Sequence, residues 1–430
     1  MKAAFYALGC KVNQYEADCY MRLFKEKGYE IGSFDEKCDV YVINTCSVTN
    51  IGDRKSRQII RRAKKLNPSA IIVATGCYAQ TKTKEVSEMP EVDLVIGTSG
   101  RHMITELVEA VRRGEDASAV GDIMKERMYE ELECEGMTER TRAYVKIQDG
   151  CDNFCSYCII PYARGPVRSR KYENIIKEVN RLVQMGFEEI VLTGISVASY
   201  GKDLKENITL GDVIKGVCEI KSVKRVRLSS ISPKIFDESF IKLLAENEKI
   251  CRHFHISLQS GSSSVLKRMN RKYTAEEYMN TLGAIREKMP DAAITTDVIC
   301  GFPEETEEEF EETAAFVKKA GFAKVHVFPY SQRSSTVAAQ MPQIPMKVRE
   351  DRARRLIEIA EKQREIFEES FIGTHAKVLF EQEKNGMWEG LTGNNLRVYV
   401  KTQENVEGCI RSVLIKSRTD GKITGELTKD

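Results

Sequence analysis

Along residues 1–113, short aliphatic and β-branched runs alternate with longer segments whose apolar residues recur every three or four positions. Runs at 3–8, 40–43, 70–74 and 92–96 read as strands, and segments 13–27, 53–66 and 103–112 read as helices. This alternation predicts an α/β fold opening with an N-terminal open parallel α/β sheet. From 114 to 142 the periodicity fades into a charged stretch that includes Glu130, Glu131, Glu133 and Glu135, and the segment reads as a linker. A second alternating series fills residues 143–345, with strands at 143–147, 190–193, 226–229, 254–258, 294–299 and 325–328, and helices such as 173–185 and 305–319 between them. Six such units fall short of the eight that close a full α/β barrel, so the expectation is an incomplete (βα)6 barrel whose working face is the carboxyl ends of its strands. A long charged helix in the connecting segment 346–370 leads to strand-like runs at 375–380, 396–400 and 410–415. With turns at Asn394-Asn395 and Asp420-Gly421, residues 371–430 read as a small all-β barrel.

The chain's 430 residues are 42% hydrophobic, enough for two or three domains with real cores. Sixty-six basic and 64 acidic residues nearly cancel, so any polyanionic partner must be argued from local clusters. No run of eighteen uncharged apolar residues occurs, and no long apolar segment precedes a cleavage site at the N-terminus. The chain therefore reads as cytoplasmic, with no membrane partner. In that setting thirteen cysteines point to thiols or metal ligands before disulfides.

Cys151, Cys155 and Cys158 lie in one loop directly after the first barrel strand, where an α/β enzyme holds its chemistry. Three thiolates so placed can hold three corners of an iron–sulfur cubane, leaving one iron open to a small molecule. The competing reading is structural zinc, but none of the five histidines lies beside this loop to complete a zinc set. Cys10, Cys46 and Cys77 each sit just beyond a predicted N-terminal strand. In a parallel sheet those ends lie side by side at the ligand crevice, and following helix starts would favour thiolates. Position alone leaves metal binding and simple burial equally open for this triplet. Cys19, Cys38, Cys134, Cys218, Cys251, Cys300 and Cys409 read as small buried apolar side chains.

The spacing Cys-x3-Cys-x2-Cys resembles the cluster motif of radical S-adenosylmethionine (SAM) enzymes. Leu8–Gln14, Asn44–Thr49 and Thr75–Gln80 are similar to the auxiliary-cluster segments of the methylthiotransferases within that family. The resemblance spans nearly the whole chain: a methylthiotransferase domain (1–113), a linker (114–142), a radical SAM partial barrel (143–345), a connecting helix (346–370) and an RNA-binding TRAM-like domain (371–430). Gln148–Cys155, Ile159–Gly165 and Asp53–Gln58 are similar to the MtaB branch, which implies methylthio transfer to C2 of N6-threonylcarbamoyladenosine at position 37 of the tRNA anticodon loop. Other branches act on isopentenyladenosine-37 or on a ribosomal-protein aspartate, and a non-enzymatic alternative is a zinc-containing RNA-binding protein.

The resemblance further implies two 4Fe-4S clusters, on Cys10, Cys46 and Cys77 and on Cys151, Cys155 and Cys158, with two molecules of S-adenosyl-L-methionine serving as methyl donor and radical source. A C2–H bond is not acidic enough for an ordinary base, so a carbon radical made by cofactor chemistry fits the task. Tyr157, Thr193, Gly194 and Ser230 become candidate cosubstrate contacts, with Gln259 and Asp297 at other strand ends. Each of these also has a plainer reading as ordinary packing or a satisfied polar group. Arg54, Arg57, Arg61 and Arg62 on one predicted helix, and Arg164, Arg168 and Arg170 after the cluster loop, are candidate RNA contacts. A charge run is as readily a solvated helix face. The electron donor and sulfur source stay open.

Overall fold

The computed structural model describes residues 1–134 and 141–428. The N-terminal sheet is parallel throughout, in the order Glu30–Ile31, Lys2–Ala7, Val40–Thr45, Ile71–Gly76, Leu94–Ile96 and Ser118–Ala119. Val40–Thr45 is buried at every position because helices cover both faces, as a central parallel strand requires. Side chains alternate between two cores: Val40 and Val42 pack with Tyr15, Tyr20 and Phe24, whereas Tyr41 and Ile43 pack with Ile60 and Ala63.

The segment read as a linker is more than a tether. Ser118–Ala119 extends the sheet, Ile123–Lys125 forms a 3-10 turn, and Glu130 pairs with buried Arg101. Leu132 is buried, and Cys134 forms a disulfide with Cys19. That pair corrects the reading of both cysteines as unpaired; 115 positions separate them, so no local pattern announces the bond. Glu135 lies outside the described residues.

In the central domain, Arg142–Asp149, Glu189–Gly194 and Arg225–Leu228 pair in parallel, as do His253–His255, Ala293–Cys300 and Lys324–Pro329. Single bridges from Val226 to Ile250 and from Ile231 to Ile256 join the two groups. The first strand turns its other edge to the short antiparallel strand Arg168–Ser169 rather than to Lys324–Pro329, so among the described residues the six-stranded wall stays open. Capping boxes at Thr209/Asp212, Thr274/Glu277 and Thr306/Glu309 start three of the surrounding helices cleanly after their loops.

Helix Met346–Glu369 is anchored to the barrel by Arg352 on Glu305 and Glu307. It leads to a closed barrel of five strands, in the order His375–Lys384, Met387–Thr392, Arg397–Val400, Lys422–Leu427 and Ile410–Thr419, around Phe380, Val398, Val413 and Ile415. This barrel docks where the central strands begin. Arg225 donates to the carbonyls of Lys377 and Leu391, and Arg227 donates to those of Thr392 and Gly393. Among the described residues no helix is long and apolar enough to cross a membrane.

Candidate active site

Cys10 follows strand Lys2–Ala7 and sits at the N-cap of helix Lys11–Glu26, and Cys77 opens helix Cys77–Thr81 directly after strand Ile71–Gly76. Cys46 lies just past Val40–Thr45, its N–H on the Ser56 hydroxyl at 3.3 Å. Gly9 makes the approach of these loops possible. Its φ is +89°, and a Cβ there would sit 2.7 Å from the Cys46 sulfur. Asn13 ties the same loops together, its amide nitrogen donating to the carbonyls of Leu8 at 2.7 Å and Thr45 at 3.0 Å. Burial, then the neighbouring sulfur of Cys77, pushes the Cys46 thiol up to about 12. Burial likewise raises Cys77, partly opposed by Arg164.

The second triplet follows strand Arg142–Asp149. The chain turns at Gly150, whose φ is +76° and whose Cβ would lie 1.8 Å from the Pro166 carbonyl oxygen. The loop is pinned from outside itself: Cys151 N–H to Gly165 O, Ser156 N–H to Met269 O, and the Asn270 amide to Phe154 O. Two polar side chains aim N–H groups at sulfur, Asn153 at Cys151 and Arg271 at Cys155, each at 3.3 Å. Burial, followed by the Cys155 sulfur, pushes Cys158 up to about 12, and burial raises Cys151. Thiols this desolvated and this close ionise together only when positive charge arrives among them, which is what iron in a cluster brings.

The donor sets fit cubanes better than single ions. Tetrahedral zinc with sulfur at about 2.3 Å would draw its sulfur ligands to roughly 3.8 Å of one another. Among the described residues the one set of three His, Cys, Asp or Glu groups whose ligand atoms fall within 4.8 Å is His255, Asp297 and His326, with neither cysteine triplet drawn in so tightly. The wider spacing suits clusters in which each thiolate holds its own iron.

Cys10 and all three barrel cysteines line one cavity of about 1120 Å³, which runs inside the open barrel from the carboxyl ends of its strands to their starts at Arg142, His253 and Lys324 and reaches Asn395 of the small barrel. Tyr157, Thr193, Gly194, Ser230 and Asp297 line it too. Tyr157 also packs on the cluster of Val265, Phe302 and Tyr330. Asp297 accepts from His255 Nε2 at 3.1 Å, while His255 Nδ1 meets Thr295 Oγ1 at 3.0 Å. Gln259 does not face the cavity; it is buried with φ +76°, and its backbone bridges Asp297 and Ile299. Lys11, Lys202, Lys234, Arg271, Lys272 and Lys324 line the cavity beside Asp297; Arg142 and Arg227 reach it too, but Arg227 is buried on Glu189 and Arg142 pairs with Glu381.

The basic candidates divide. Arg54, Arg61 and Arg62 are exposed on helix Asn50–Leu66, and Arg57 is half-buried against Tyr78 and Glu85; none of the four lines the cavity. Arg164, Arg168 and Arg170 correct the reading of a phosphate-facing patch. All three are buried: Arg164 meets Glu16 and Asn13, Arg168 lies near Asp149, and Arg170 pairs with Glu131 and Glu178. Arg271 and Lys11 were not singled out from sequence. Arg271 stands far from either cysteine motif, whereas His253 and His255, two apart on one strand, did carry a same-face signal.

Residues 145–317 match the radical SAM superfamily, and residues 2–97 match a family described as uncharacterized protein family UPF0004. The chain is 44% identical over 419 residues to the threonylcarbamoyladenosine tRNA methylthiotransferase MtaB of Bacillus subtilis, covering 96% of this chain and 93% of that one. It is 43% identical to the MtaB of Aquifex aeolicus, covering 90% and 95%. A tRNA-2-methylthio-N(6)-dimethylallyladenosine synthase of Desulforamulus reducens is 36% identical, over 82% of this chain and 78% of that protein. Among solved structures, the radical S-adenosylmethionine methyltransferase TsrM of Kitasatospora setae aligns with TM-score 0.59 over 79% of this chain and 76% of its own, at 15% identity, a likeness of fold alone.

Proposed function

Because the chain belongs to the MtaB-type radical S-adenosylmethionine methylthiotransferases, we propose that it replaces the C2 hydrogen of N6-threonylcarbamoyladenosine, at position 37 of tRNA, with a methylthio group. The observation that carries the reading is a single cavity reached by thiols of both triplets. Bound there, two 4Fe-4S clusters and S-adenosyl-L-methionine supply the electron, the radical and the methylated sulfur that side chains lack.

The chain's own residues do the holding. Cys151, Cys155 and Cys158 would give one cluster three ligands, leaving an iron for the cosubstrate, while Cys10, Cys46 and Cys77 would hold the other. Arg271 and Asn153 fix the sulfur atoms of the first site. Thr193, Gly194, Ser230 and Asp297 face the space the cosubstrate would fill. The lysines and arginines around it suit RNA phosphates and the carboxylate of a threonylcarbamoyl group. A dimethylallyl substituent carries no charge, so this lining favours the threonylcarbamoyl substrate over that of the less similar relatives.

The test is nucleoside mass spectrometry on tRNA incubated anaerobically with reconstituted protein, S-adenosylmethionine and a strong reductant. Two substrates are compared, one carrying threonylcarbamoyladenosine and one carrying dimethylallyladenosine at position 37. A methylthio product on the first alone is expected; product on the second alone would overturn the substrate assignment, and product on neither would overturn the activity.

A further inference from the structure

We propose that Arg164 sets the reduction potential of the auxiliary cluster through a hydrogen bond to the Cys77 sulfur, tying that cluster to the loop that carries the other one. The proposal rests on the reading of Cys10, Cys46 and Cys77 as cluster ligands. Arg164 ends the short helix Ile160–Arg164, which follows the Cys151–Cys158 loop, yet its side chain leaves the barrel and enters the N-terminal domain. Its Nε lies 3.3 Å from Cys77 Sγ, and the side chain is wholly buried.

The rest of the guanidinium is held so that this N–H cannot turn away. One terminal nitrogen donates to Asn13 Oδ1 at 2.6 Å and to Glu16 Oε2 at 3.0 Å, and the other meets Glu16 Oε1. Asn13 in turn holds the loops of Cys10 and Cys46, so one frame orients all three sulfur atoms and the arginine that faces them.

Reduction adds negative charge to a cluster. A buried N–H from a permanent cation stabilises that charge more than the oxidised state's, because little water screens it, and the potential rises. Glu16 does not cancel the effect, since it is shared with Arg101 and with Lys146 Nζ at 2.8 Å. The barrel triplet has its own counterpart in Arg271 on Cys155. Arg164 differs in coming from the opposite domain, so a movement of the SAM-cluster loop would be felt at Cys77.

The experiment uses full-length protein with Cys151, Cys155 and Cys158 replaced by alanine, reconstituted anaerobically so that only the auxiliary cluster remains. Its one-electron reduction by dithionite in a mediator mixture is followed by electron paramagnetic resonance. Arg164→Met should lower the reduction equilibrium constant about tenfold, a fall of about 59 mV for a one-electron couple. Arg164→Lys, which keeps the charge but cannot reproduce the three-way grip, should fall by less. Because it keeps a cation beside Glu16 and Asn13, Arg164→Lys also covers the case in which the methionine variant does not fold. A midpoint unmoved in variants that retain about four irons per chain would overturn the role of Arg164 while leaving the cluster reading intact. A triple-alanine parent that binds no iron would overturn both.

Discussion

Gly9 shows how much of the auxiliary site depends on a side chain that is absent. Its positive φ and the 2.7 Å that a Cβ would leave to the Cys46 sulfur mean that even alanine must displace a candidate ligand. Gly9→Ala is expected to cost more than about 1 kcal/mol through backbone strain. Iron in the reconstituted protein should fall from about eight to about four per chain. Iron analysis beside thermal unfolding checks both, and full iron content would contradict the argument. At this scale legibility followed distance along the chain. Cys151, Cys155 and Cys158 stand out because eight consecutive residues hold the whole pattern; for Cys10, Cys46 and Cys77 parallel topology let only their convergence at the strand ends be inferred, and the reading of them as ligands came from the resemblance. Arg271 could not, since nothing local says that its guanidinium reaches Cys155. Arg164, Arg168 and Arg170 looked like a solvent-facing patch because a run of charge does not reveal which acids will enclose it.

Helix Lys11–Glu26 is the element on which both candidate centres lean. It begins at Cys10, carries Asn13 beneath the auxiliary loops, and one turn later offers Glu16 to Arg101, Lys146 and Arg164. Burial pushes the Glu16 carboxyl up, but these three cations overcome it and hold the group well below the usual range. A carboxylate whose folded pKa is depressed adds stability that is complete above its unfolded value, about 4.5, and is lost as pH falls below it. Glu16→Gln is therefore expected to destabilise the apoprotein by about 3–5 kcal/mol at neutral pH, because it strands buried cations. The variant should also lose part of the wild type's fall in stability below pH 4.5. Urea unfolding at neutral and acid pH measures this, and equal losses at both would contradict it. The α/β alternation of these elements was readable because apolar periodicity survives in each. The strap of residues 114–134 was not: it is held by ion pairs such as Glu130 with Arg101, by the isolated apolar residues Ile123 and Leu132 and by the Cys19–Cys134 disulfide, which leave no hydrophobic rhythm.

Across the whole molecule, three units meet at a single cavity: the parallel sheet brings Cys10, the open barrel brings the second triplet, and the small barrel is bound to the starts of the barrel strands by Arg225 and Arg227. With Lys11, Lys202, Lys234, Arg271, Lys272 and Lys324 around it beside Asp297, the cavity should bind tRNA with a strong salt dependence. Four phosphate contacts in a single-stranded loop would weaken affinity about fiftyfold between 50 and 200 mM salt. Filter binding across that range tests the figure, and a flat profile would remove the cavity as an electrostatic RNA site. The order of three domains was legible because each has its own periodicity; the cavity they share was not, because docking surfaces of mixed charge leave no such mark. The central claim is a division of labour between two thiol triplets, and the most direct measurement follows 5′-deoxyadenosine and methylthiolated nucleoside together in anaerobic reactions of wild type, Cys155→Ala and Cys46→Ala. Cys155→Ala should form neither product, and Cys46→Ala should still form deoxyadenosine but no methylthio nucleoside. Equal loss of deoxyadenosine in both variants would contradict the account.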